Sequence, residues 1–106
     1  MPKYMWKVSY TKAGVRGVAN EGASSRRDAV KHAIESLGGR LEAIYFAFGE
    51  ADVYVIGDLP DNQSAAALSL AANVSEGLTA ETVVLMTAEE FDAATTKDVS
   101  FRPPGQ

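Results

Sequence analysis

Residues 46–61 read FAFGEADVYVIGDLPD, two extended apolar runs joined by the short turn Gly49-Glu50-Ala51 and closed by Pro60, which cannot donate to a strand ladder. Val53 and Val55 fall on one face of the second run, Tyr54 and Ile56 on the other. The run before it has the same character: Leu41, Ala43 and Tyr45 share one parity, Ile44, Phe46 and Phe48 the other. A hairpin with one wet face would alternate apolar and polar residues. This one needs cover on both sides.

Working outward, Tyr4, Trp6, Val8 and Tyr10 alternate with Lys3, Met5, Lys7 and Ser9, which predicts a first strand. The following segment, with Gly14, Gly17 and Gly22, reads as irregular. A helix is then predicted from Ser25, which would cap it, with Asp28 at its positive end and Val30, Ala33, Ile34 and Leu37 on one stripe before Gly38-Gly39 stops it. Arg40 to Phe48 and Asp52 to Asp58 form the second and third strands. Asn62 to Ser75, rich in Ala and Leu and free of charge, is a second long helix; Thr79 to Thr87 is a fourth strand, AEEFDAATT a short helix, and VSFRPPGQ a tail. The order β-α-β-β-α-β with right-handed crossovers is a ferredoxin-like α+β sandwich, with both long helices on one face of a four-stranded antiparallel sheet. The other face stays bare, and large apolar residues there mark a contact with another subunit. The second long helix is also two-sided, Leu68, Ala71 and Ala72 against Ala67, Leu70 and Val74. Its outer side is left to the short helix, through Phe91, or to another subunit.

A chain of 106 residues with 46% hydrophobic and 23% charged residues is one domain of ordinary globular composition. The domain spans 1–97, with 98–106 as tail. No apolar run approaches the roughly 20 residues of a membrane span, and MPKYMWKVSY lacks the apolar core of a signal peptide. The expectation is a cytoplasmic protein without membrane contact. Zero cysteines excludes disulfides and thiolate chemistry. The net charge of −4 is uneven: residues 1–40 carry 8 Lys/Arg against 3 Asp/Glu, and residues 41–106 carry 2 against 11. The acidic balance argues against nucleic acid as a partner, while the opposed blocks can pair within or between subunits.

Gly17-Val-Ala-Asn-Glu-Gly22-Ala-Ser24 has the frame of a phosphate loop, but Ala23 stands where the lysine must be. His32 is the only histidine and falls opposite the apolar stripe of its helix, so no multi-histidine metal site exists. The acidic groups around Asp58, Asp61 and Glu89 lack calcium-loop spacing, and no hydrolase signature is present. No cofactor and no metal are expected.

The segments VSYT (8–11), SLGGRLEAIYFAFG (36–49), Asp52, LPD (59–61), LMTAEE (85–90) and SFRPPG (100–105) resemble, in order and spacing, the GYD-domain family. The resemblance covers nearly the whole chain. It implies a small bacterial or archaeal protein of the dimeric α/β-barrel type, a homo-oligomer with a dimer favoured, and no established activity. The family takes its name from a Gly-x-Tyr-Asp turn. Gly49 and Asp52 match it, but Ala51 replaces the tyrosine, so no role of that ring carries over.

In a ferredoxin-like sheet the end of strand 1, the 2–3 turn and the start of strand 4 share one edge. Tyr10, Thr11, Phe48, Asp52 and Glu81 are therefore expected to converge, with Trp6 and Tyr45 deeper along the strands, as a binding site with aromatic walls and a few polar groups. The bland assignment gives Asp52 to the turn and the aromatics to core or interface. Two functions follow: an oligomeric module binding a small molecule or partner, or, by fold analogy alone, a cofactor-independent enzyme of monooxygenase or isomerase type.

Overall fold

The alternation of Tyr4, Trp6 and Val8 is realised as a central strand whose inward side chains are all buried. The computed structural model describes all 106 residues, in the order β1 (Lys3–Tyr10), α1 (Lys12–Glu21), α2 (Ala23–Ser36), β2 (Arg40–Phe46), β3 (Val53–Asp58), α3 (Asn62–Val74), β4 (Leu78–Leu85) and α4 (Ala88–Thr95). The strands form one antiparallel sheet in the order β2-β3-β1-β4, the ferredoxin-like arrangement. α2 lies over edge strand β2 and α3 over edge strand β4. The core between them is Tyr4, Trp6, Val8, Ile34, Val53, Val55, Leu59 and Ala65. No helix is long and apolar enough to cross a membrane.

Three sequence expectations need correction. The segment after Thr11 is helical, not irregular. Thr11 caps α1 by accepting from the Gly14 amide at 3.2 Å, while its own amide donates to Gly77 O at 2.9 Å and its hydroxyl to Glu76 O at 2.7 Å. A Cβ on Gly14 would strike the carbonyl of Gly77, so this glycine permits a close approach. α2 accordingly starts at Ala23, after Gly22 at φ 89°, and has no side-chain cap; Ser25 lies inside the helix.

The second correction concerns β2. A bulge between Leu41 and Ala43 turns Leu41 to the helix face beside Ile44, where both pack on the core. An extra residue in one strand reverses the parity of what precedes it. The two-sidedness read from β2 is thus partly a change of face. The third is the end of β4: Thr87 does not continue the strand but caps α4, accepting from the Glu90 amide at 3.1 Å, while Glu90 Oε1 accepts from the Thr87 amide at 2.9 Å.

The face away from the helices carries ordered rows. Ala43, Ile56, Met5 and Val83 form an apolar row across all four strands. Tyr45, Tyr54, Lys7 and Glu81 flank it on one side, and Arg40, Asp58, Lys3 and Leu85 on the other. Asp58 accepts from Lys3 Nζ at 3.0 Å and from Arg40 at 3.3 Å, and Lys3 also reaches Glu42 at 3.1 Å.

Candidate functional site

Because α2 and α3 stand over the two edge strands, a gap is left above the central pair β3 and β1. It is a chamber of about 300 Å3. Its floor is Trp6, Val8 and Val55; its walls include Ala29 and Ala33 from α2 and Ala71 and Ala72 from α3, short side chains that leave the space unfilled. Of its lining only Arg26 and Ser75 are polar in the ordinary sense. The Nε1 of Trp6 is buried with no protein partner, as is the hydroxyl of Thr82, its neighbour across the β1–β4 ladder.

Arg26, Ser75 and Leu78 also border a second hollow of about 310 Å3, which includes Tyr10, Glu21 and Gly77. Arg26 thereby stands where an apolar space meets a polar one. Its Nε lies 3.6 Å from Glu21. Burial pushes the Tyr10 phenol above its ordinary value, and the neighbouring guanidinium of Arg26 opposes that rise.

The seven residues expected to form the site are divided by the sheet. Trp6 and Tyr10 lie on the helix side, at the chamber and the hollow beside it. Tyr45 and Glu81 stand in one row on the opposite face. Asp52 Oδ2 accepts from the Tyr10 amide at 2.7 Å, tying the 2–3 connection to the end of β1. Thr11 is the cap of α1, and Phe48 projects from the turn fully exposed. Tyr10 and Asp52 thus do meet at one edge, through backbone rather than through a shared cavity.

Sequence reading missed Arg26. It stands in Ser25-Arg-Arg-Asp28, a run that reads as a helix start. The signal that could have found the site is the alanines of α2 and α3 that border the gap, Ala33 and Ala72 half-buried and Ala29 and Ala71 exposed at its rim.

Comparison with curated proteins and with solved structures returns no significant match. The family model for the GYD domain matches residues 4–95. That span runs from the second residue of β1 to the last of α4, and the chain belongs to the GYD-domain family.

Proposed function

We propose that this chain is a self-associating module that binds a compact, largely apolar small molecule bearing an acidic or acceptor group, between α2 and α3. The chamber over the central strands carries the reading. Its volume lies at the small end of the range for ligand pockets, roughly 300–1,000 Å3. The chemistry of its lining is one-sided: apolar walls and the cationic Arg26 at the border. Tyr10 adds a phenol beside Arg26, where an acidic head group would lie.

Self-association draws support from the opposite face, where the row Ala43, Ile56, Met5 and Val83 offers apolar side chains to a second sheet. A dimer through sheet faces leaves the chamber free.

Titration calorimetry with 2-naphthoate and its neutral analogue 2-naphthylmethanol tests the ligand reading. Both compounds are expected to bind, the acid more tightly. Arg26→Gln should weaken the acid by about tenfold and the alcohol much less, since only the acid forms a charge-assisted contact. Ala72→Phe, which fills the chamber, should abolish both. Failure of both compounds to bind the native protein, or unchanged binding in a folded Ala72→Phe variant, overturns the reading.

A further inference from the structure

The residues from Met86 to Gln106 are exposed throughout. They nonetheless include the capped helix α4, which buries none of its residues. Met86, Phe91, Val99 and Phe101 present more than half of their surface to solvent. The radius of gyration is 16.7 Å and the long axis 55 Å, against about 13 Å for the radius of a compact chain of this size. A helix of 8 residues is marginal in water without tertiary packing. This arm is built to pack on something its own chain does not offer it.

A matching surface lies at the other edge of the sheet. β2 has a free edge, and beside it a groove of about 490 Å3 runs between Arg27 and Lys31 of α2 and Leu41, Ile44 and Tyr45 of β2. Its lining also includes Asp28 and Glu42, but Glu42 is paired with Lys3 and Asp28 lies beside Arg27, which leaves Lys31 as the groove's unpaired cation; α4 carries Glu89, Glu90 and Asp92 around Phe91. Arg27 reaches only its neighbour Asp28, at 3.6 Å. The arm leaves the sheet at Leu85 on β4, three strand spacings or about 14 Å from β2, and no strand or helix of its own chain packs extensively against α4. We propose that α4 and the residues after it dock in the β2 groove of a second copy, which returns its own arm, as a two-fold pair requires. The contact covers an otherwise open strand edge and joins the basic first third of one subunit to the acidic last part of the other.

Sedimentation velocity on the full chain tests this with two variants at exposed positions: Phe91→Asp in the arm, and the pair Arg27→Glu, Lys31→Glu in the groove. Each is expected to raise the dimer dissociation constant by about tenfold or more, as loss of a central aromatic or a charge pair does. Mixing the two variants restores one intact arm-in-groove contact, so the mixture should associate more tightly than either alone. Wild-type association by either variant, or a mixture no tighter than its components, overturns the proposal, as does a wild-type chain that stays monomeric at micromolar concentration. Ile56→Asp separates the two modes. If only this variant dissociates, the sheet face alone holds the dimer.

Discussion

Asp58 concentrates the electrostatics of the fold in one side chain. Its carboxylate is 10% exposed and is held by Lys3 and Arg40. Burial alone would push its pKa up; the hydrogen bonds from Lys3 and Arg40 prevail and hold it below its ordinary value of 3.8. Lys3 is raised by the hydrogen bonds it donates to Asp58 and Glu42. The signs fix the pH window. The Asp58 contribution is complete above the unfolded carboxylate value and is lost as pH falls through the lower folded one. The Lys3 contribution is complete below 10.5 and is lost as pH rises through the higher folded value. Asp58→Asn should therefore destabilise the protein by about 1.5–3 kcal/mol at neutral pH, measured by urea unfolding, and should flatten the stability profile below about pH 4. A variant as stable as the wild type would show that Lys3 and Arg40 are equally content in water. At the same scale Asp52 illustrates how a polar residue in an apolar stretch invites a functional reading. Its carboxylate satisfies a backbone amide 42 residues away, a partner that no local pattern discloses.

The elements divide into those that announced themselves and those that context made. β1 and β3 follow from their periodicity and α3 and α4 from their composition, and with them the order of the sandwich, although the cap of α4, Thr87, reads as the end of a strand. α1 did not, because Gly14 and Gly17 read as breakers. The two glycines differ in kind. Gly14 meets the backbone of Gly77, whereas Gly17 faces open space. Gly17→Ala should stabilise the protein by about 0.5–1 kcal/mol, the ordinary gain at an open helical position. Gly14→Ala should destabilise it by more than that, since α1 must lift from the α3–β4 connection. Paired thermal melts decide the matter, and equal effects of the two substitutions would refute the packing role of Gly14. The bulge in β2 was illegible for another reason: nothing in Arg-Leu-Glu-Ala marks an extra residue, and the face of Leu41 is fixed only once β3 is alongside. The chamber shares this origin. It exists because two helices stand over the two edges of a sheet, and only the placement of both shows that the alanines between them line a space.

At the scale of the whole molecule the opposed charge blocks become a statement about assembly. The positive first third places Arg27 and Lys31 beside the β2 edge, and the negative remainder places Glu89, Glu90 and Asp92 on the arm. Association through these groups should weaken as ionic strength rises, with the dissociation constant growing between about 0.05 and 0.5 M salt, a range over which the screening length shortens from roughly 14 to 4 Å. Sedimentation at both salt levels checks it; an unchanged constant would leave the apolar row and Phe91 as the whole of the contact. The strand pairing also sets a timetable. β1 is the first strand made, yet it lies between β3 and β4, and Lys3 pairs with both Asp58 and Leu85. During synthesis the buried ring of Trp6 has no sheet to join until β3 has emerged, and its far flank stays open until β4 follows. The nascent chain must therefore carry an aromatic-rich strand unpaired through most of its own translation, and the closing step joins residues 82 positions apart, a separation that makes sheet closure slow for a chain of this size.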